Sequence, residues 1–163
     1  RLAMFFQIMF PGAPTIYYGD EVSLTGGEDP FNRAAYPWAD KGGKPDLQML
    51  TDVKTMLKVR KQHAVLRHGS ISAPQFIDEH VIVLARRLGN SWAITATNND
   101  SVPHTLTINL PAAITAKNDL VLPETHTMPV NFNEAFGGQT ISSSGKTLTL
   151  SVPALFGTVL IKQ

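Results

Sequence analysis

Two stretches, Thr105-Leu106-Thr107-Ile108-Asn109-Leu110 and Thr147-Leu148-Thr149-Leu150-Ser151-Val152, alternate polar and apolar side chains without a break. Successive side chains of a strand point to opposite faces, so a period of two describes a strand with one buried and one wet face. Further short strand signals recur through the second half of the chain, at Ile71–Ile77, His80–Leu88, Ser91–Asn98, His104–Asn109, Lys117–Leu122, Gln139–Ile141, Thr147–Val152 and Thr158–Ile161. Leu88-Gly89-Asn90-Ser91 carries residues that tolerate positive φ, as a tight hairpin turn requires. About eight short strands in this spacing predict an antiparallel Greek-key β-sandwich with one wet face per sheet.

The first 69 residues follow a different rhythm. Leu2–Phe10 is apolar except for Gln7, which reads as the end of a helix covered on all sides and stopped by Pro11-Gly12. Pro14-Thr15-Ile16-Tyr17-Tyr18-Gly19 reads as a short buried strand between turn formers. Helix then strand is the order of an α/β unit with a parallel sheet. A loop from Asp20 to Lys44 follows, and a loop of such length inside a compact domain is usually functional. Residues 46–69 read as one helix with Asp46 as N-cap. Leu50, Val53, Leu57, Arg60 and Ala64 share one face, and Lys54, Lys58 and Lys61 lie on another, read as solvated. The chain is thus α/β plus all-β, with a boundary near residues 67–70.

Composition narrows the function classes. Fourteen Lys and Arg against thirteen Asp and Glu leave a net charge of +1, without the polybasic footprint of a nucleic-acid binder. Cysteine is absent, which excludes disulfides, thiolate catalysis and Cys-ligated zinc. The five histidines, His63, His68, His80, His104 and His126, match no metal-ligand spacing. Gly26-Gly27 lacks the continuation of a phosphate-binding loop, and Ser142-Ser143-Ser144-Gly145 lacks a nucleophile-elbow pattern. The apolar opening falls far short of the roughly 20 residues that span a bilayer, and the compartment stays open. Arg1 in place of Met predicts that the chain starts inside a longer protein.

Candidate chemistry gathers in the long loop. Paired carboxylates that cleave glycosidic bonds with retention sit about 5–5.5 Å apart, facing one bond. Asp20, Glu21, Glu28 and Asp29 are the available carboxylates. Adjacent ones point apart, so their spacing favours loop capping over catalysis. Asp29 and Arg33 stand four apart across Asp29-Pro30-Phe31-Asn32-Arg33. Together they offer an acceptor and a planar donor fork suited to adjacent sugar hydroxyls, and equally a simple loop ion pair. Trp38, with Tyr36 and Phe31, is either an apolar platform for a sugar face or a lid on the core. Trp92 opens a hairpin strand and reads as core.

These residues carry a resemblance. Phe10-Pro11-Gly12-Ala13-Pro14-Thr15-Ile16-Tyr17-Tyr18-Gly19-Asp20-Glu21 resembles the last barrel strand of the α-amylase family of glycoside hydrolases. Gly26-Gly27-Glu28-Asp29-Pro30-Phe31-Asn32-Arg33 and Tyr36-Pro37-Trp38 resemble the loop after it, especially in the neopullulanase, cyclomaltodextrinase and maltogenic-amylase branch. Leu57 to Gly69 resembles the final barrel helix and exit. Residues 70–163 are similar to the family's C-terminal sandwich in length and strand rhythm.

The resemblance implies a terminal portion of a TIM (β/α)₈ barrel, residues 1–67, followed by a β-sandwich domain, residues 68–163. It implies a retaining α-glucan hydrolase acting on starch, maltodextrin or cyclodextrin. The nucleophile, acid/base and hydroxyl-holding carboxylates of the family lie on earlier strands, so none is expected here and this piece alone is expected to be inactive. What carries over is sugar contact by Asp29 and Arg33, although Glu28 departs from the Asn common at its position. Calcium is common in the family, with ligands expected upstream, so no metal is assigned to this chain. The expected partners are an α-glucan and the remainder of the barrel, in cis or as a separate chain, with no nucleic acid and no membrane. The alternative is a non-catalytic carbohydrate-binding or structural sandwich, using exposed aromatics among Phe76, Trp92, Phe132, Phe136 and Phe156.

Overall fold

The computed structural model describes residues 1–111 and 129–162, and the expected strand Lys117–Leu122 lies outside the described residues. Leu2–Met9 forms helix α1. It ends at Phe10, whose extended φ of −70° and ψ of 155° suit a residue held before Pro11. Met4, Phe5, Ile8 and Met9 are buried, whereas Phe6 and Phe10 remain exposed and stack with ring centroids 5.1 Å apart. The expectation of cover on all sides therefore holds for one face only. Among the described residues, it packs against the sheet and the helices that follow.

Pro14–Gly19 is the clearest correction. It forms no strand, and Ile16, Tyr17 and Tyr18 are 37%, 48% and 53% exposed. A parallel strand needs neighbours for its ladder, and among the described residues no strand lies beside this segment. Its backbone turns instead to side chains. Gln7 Nε2 donates to the Thr15 carbonyl at 2.5 Å, and the Tyr17 amide donates to Asp20 Oδ2 at 3.3 Å.

The predicted helix over 46–69 is two helices, α2 (Leu47–Gln62) and α3 (Ala64–His68). Asp46 caps α2 as expected, its Oδ1 accepting from the Met49 amide at 2.9 Å. The break is at His63, whose φ of −110° and ψ of 104° are extended. Arg67 donates back to the Arg60 and Lys61 carbonyls, closing the open end of α2. The buried face of α2 is Met49, Val53, Met56, Val59 and Arg60, shifted from the predicted face, which left Leu50 and Leu57 half-buried and Ala64 exposed.

Among the described residues nine strands follow: β1 (Ser70–Ile71), β2 (Phe76–Ile77), β3 (Val81–Leu88), β4 (Ser91–Asn98), β5 (His104–Asn109), β6 (Asn131–Glu134), β7 (Thr140–Ser142), β8 (Thr147–Val152) and β9 (Phe156–Lys162). The strand expected over Ile71–Ile77 is divided, because Pro74 cannot donate to a ladder; β1 and β2 both pair with β3. The larger sheet runs β1-β3-β4-β9-β6-β7, and β5 pairs with β8 in the smaller one. Every described pairing is antiparallel. Leu88 pairs with Ser91 across the expected hairpin, where Gly89 adopts φ +57°.

The two sheets share a core. Val81, Val83, Ala85, Trp92, Ile94, Ala96, Phe132 and Leu160 face Ile108, Leu148, Leu150 and Val152. The larger sheet also buries its other face: Ala93 and Val159 join Met4, Phe5, Ile8, Val53, Met56 and Leu66 in a second core. The expectation of one wet face per sheet thus holds for β5 and β8, where Thr105, Thr107 and Thr149 are exposed, but not for the helix-covered sheet. Phe5 is fully buried, 4.9 Å from the Phe156 ring and 6.0 Å from Phe136. It reaches the sheet because residue 157 is glycine. A Cβ there would meet Phe5 Cε1 at 2.1 Å and the Ala96 carbonyl oxygen at 2.5 Å.

Two buried arginines join these layers. Arg60 donates to the carbonyls of Ile8 (2.5 Å), Phe10 (3.1 Å) and Gly12, gathering the end of α1. Arg86, 1% exposed, donates to the carbonyls of Leu66 (2.5 Å) and Gly69 (2.9 Å) at the end of α3, and to Met9 at 3.4 Å. The negative ends of helix dipoles stand in for counter-ions, since no carboxylate pairs with either arginine among the described residues. Burial lowers the pKa of both guanidiniums, and both stay charged at neutral pH. At one end of the sandwich, Asp100 Oδ2 lies 2.9 Å from His104 Nε2 and 3.9 Å from His80 Nε2. Asp78 there accepts from the Val81 and His80 amides.

Candidate functional site

The loop from Gly12 to Lys44 is held at both ends and displayed between them. Arg60 fixes its entrance. At its exit, Ser23 Oγ donates to Asp46 Oδ2 at 3.0 Å, and the Asp46 amide donates to the Val22 carbonyl at 3.1 Å. Gly19, at φ +87°, turns the chain into the short 3₁₀ turn Asp20–Val22.

The centre of the loop is the turn Glu28–Arg33. The Phe31 amide donates to the Glu28 carbonyl at 2.7 Å and the Arg33 amide to the Pro30 carbonyl at 3.1 Å. That winding brings the expected pair together: Arg33 Nη2 donates to Asp29 Oδ1 at 2.5 Å. Both side chains are open, Asp29 69% and Arg33 49% exposed. An ion pair so exposed contributes only about 0–1 kcal/mol to folding. An exposed carboxylate joined to an exposed guanidinium offers acceptor and donors together, an arrangement that can bind adjacent hydroxyls of one polyol.

Of the other loop carboxylates, Asp20 accepts from the Tyr17 amide, and the backbone carbonyl of Glu28 accepts from the Phe31 amide in the turn. Phe31 is 74% exposed and Trp38 60% exposed, with Tyr36 and Trp38 rings 4.5 Å apart, so neither Phe31 nor Trp38 closes onto the core. A shallow cleft of about 200 Å³ beside the turn is lined by Tyr17, Tyr18, Asp20, Phe31 and Asn32. The sequence flagged Phe31 only as a neighbour of Trp38; its position between the two members of the ion pair was the available signal.

Among the described residues, the sandwich aromatics form no comparable platform. Trp92 and Phe132 lie in the first core, as expected for Trp92. Phe76 packs against that core, and Phe136 and Phe156 pack around Phe5. Among the described residues, no group of three or more His, Asp or Glu side chains is placed to hold a metal ion, and no helix is long and apolar enough to cross a membrane.

No protein-family model matches the chain. It is 29% identical over 168 residues to an amylopullulanase of Thermoanaerobacter thermohydrosulfuricus, an alignment covering all of this chain and 11% of that protein. It is 35% identical over 109 residues to a cyclomaltodextrinase of a Bacillus species, covering 65% of this chain and 19% of that one. The α-amylase of Geobacillus thermoleovorans, solved in complex with acarbose, superposes with a TM-score of 0.79 at 22% identity, over 99% of this chain and 32% of its own. The chain therefore spans between about a tenth and a third of the length of these proteins, and shares with the last of them the order of few helices followed by antiparallel sheets.

Proposed function

We propose, from the membership of this chain in the α-amylase family of glycoside hydrolases, that the protein it forms part of is a retaining hydrolase of α-glucosidic bonds in starch, maltodextrin or cyclodextrin. Residues 1–67 are read as the last helix, strand, loop and helix of its (β/α)₈ barrel, and residues 68–163 as its C-terminal Greek-key sandwich. The exposed apolar side chains of Phe6, Phe10 and Ile16 support this division, since they are costly in water and suit cover by the remaining barrel strands. The cleaving carboxylates belong to that remainder, and this chain's part in the reaction is to hold substrate.

The observation that carries the binding role is the Arg33–Asp29 pair, displayed on a turn that its own backbone hydrogen bonds keep in shape. Active-site loops of a barrel leave the carboxyl ends of its strands, and this loop follows the segment read as the last strand. A carboxylate that accepts and a guanidinium that donates fix a sugar ring in one orientation, presenting its far end to the bond that is cut.

The test is calorimetric titration of the 163-residue chain with maltohexaose. Saturable binding that weakens about tenfold in Asp29→Ala, with an unchanged urea midpoint, is the expected result. Equal affinity in the two proteins overturns the assignment. Release of reducing sugar that follows the purified chain through chromatography overturns the placement of the catalytic carboxylates elsewhere.

A further inference from the structure

Phe31 is the most exposed large apolar side chain among the described residues, at 74%, and it stands on the turn between Asp29 and Arg33. Its position is built rather than loose. The Phe31 amide is bound to Glu28, and the Arg33 amide to Pro30. Behind it, a Cβ on Gly26 would meet Asn32 Cα at 3.1 Å and the Phe31 carbonyl at 3.2 Å, so the chain at residue 26 packs directly against the turn. A Cβ on Gly27 would stand 3.6 Å from Phe31 Cβ, an ordinary contact, so residue 27 lies beside the root of the ring. Phe31 lines the same cleft as Tyr17, Tyr18, Asp20 and Asn32.

An apolar ring held open beside a hydroxyl-binding fork matches one chemistry closely. A glucopyranose ring has two faces made of C–H groups and a rim of hydroxyls. Its face covers an aromatic ring while its rim reaches neighbouring polar groups. Aromatic walls with a few convergent polar groups are the general form of a small-ligand site. A purely apolar partner would leave the remaining hydrogen-bonding capacity of the Asp29–Arg33 pair unused, and a purely polar one would leave Phe31 wet.

We propose that Phe31 is the stacking platform of this site. One α-glucosyl ring lies on its face, Asp29 and Arg33 take the rim hydroxyls, and Tyr17 and Tyr18 line the same cleft. The inference rests on the sugar-contact reading of Asp29 and Arg33 and adds to it the residue that selects a flat-faced hexose over a branched or charged polyol.

The experiment titrates maltohexaose into the 163-residue chain and into Phe31→Ala, Phe31→Tyr and Asp29→Ala, with a saturation-transfer spectrum of each. Phe31→Ala is expected to bind about tenfold more weakly, the loss that follows from leaving roughly half a phenyl side chain uncovered. It should also lose transfer from aromatic protons to the sugar C–H protons, whereas Phe31→Tyr keeps both within about threefold. Unchanged affinity in Phe31→Ala, with weakened binding in Asp29→Ala, overturns the platform and leaves the ion-pair reading standing. Weakened binding in Phe31→Ala alone supports the platform and removes the ion pair. Absence of saturable binding in the unmodified chain overturns both.

Discussion

Replacing Gly157 by alanine sets two physical arguments against each other. By strand propensity alone the change stabilises, since glycine in a strand loses more backbone entropy and is about 0.5–1 kcal/mol worse than alanine. The geometry demands the opposite. The added methyl would stand 2.1 Å from Phe5 Cε1, 2.4 Å from Cζ and 2.5 Å from the Ala96 carbonyl oxygen. Ordinary carbon contacts lie at about 3.5–4.0 Å, so more than an ångström must be found. The ring cannot swing away, because it is fully buried against Phe136 and Phe156. The carbonyl cannot either, because β4 is paired with β9 at Ala96–Thr158 and Thr97–Gly157. What yields is the seat of α1 on the sheet. Overpacking costs about 1–3 kcal/mol, and the rigidity on both sides puts the expected loss near the upper end. Urea unfolding followed by far-ultraviolet circular dichroism measures it: at a slope of about 2 kcal/mol per molar, the midpoint should fall by about 1.5 M. Combining Gly157→Ala with Phe5→Leu should recover part of the loss, because the two positions touch. A midpoint that is unchanged or raised in Gly157→Ala would refute the close-approach argument.

Two further perturbations follow from the polar contacts. Arg60→Met keeps the apolar stem but removes the donors to the Ile8, Phe10 and Gly12 carbonyls, and should cost about 3 kcal/mol in the same unfolding assay, against less than 1 if those bonds contribute little. Acid should destabilise the sandwich end. Hydrogen bonding from His104 holds the Asp100 carboxyl below its usual range, and the Val81 and His80 amides do the same for Asp78. A depressed folded-state pKa gives stability that is present above the ordinary carboxylate range and lost as pH falls through the folded value. The urea midpoint should therefore drop between about pH 5 and pH 3, and drop less in His104→Ala, which starts lower at pH 5; an identical pH profile in that variant would remove the His104–Asp100 bond from the account.

Much of the sheet was legible because its pattern is local. The alternation in β5 and β8 survives in the structure as exposed threonines over buried Leu148, Leu150 and Ile108, and the Leu88–Ser91 hairpin lies where its turn residues place it. Asp46 was legible as a cap for the same reason. What failed depended on distant partners. Pro14–Gly19 has strand chemistry but no strand to pair with, so its tyrosines face water. The buried stripe of α2 follows Met49, Met56 and Val59 because α1 lies against that side, which no periodicity within α2 announces. Strand β6, Asn131–Glu134, was hidden by its polar residues; only Phe132 enters the core. The burial of Arg86 depends on two helix ends that arrive from elsewhere, which no local pattern announces. Within the site, the spacing of Asp29 and Arg33 foresaw their meeting, while the openness of Phe31 needed three dimensions.

The seat of Phe5 also sets an order of events. The groups that bury it, Phe136, Phe156 and Gly157, emerge from the ribosome about 130–150 residues later, which at roughly 5–20 residues per second is a wait of about 7–30 s. Closing so long a loop contributes to slow folding, since its entropy is lost before the contact rewards it. Until β9 is laid down beside β4, the apolar helix that begins this chain has no finished surface to receive it. During that interval it is a natural client for a chaperone, and a place where nascent chains of this protein would stick to one another.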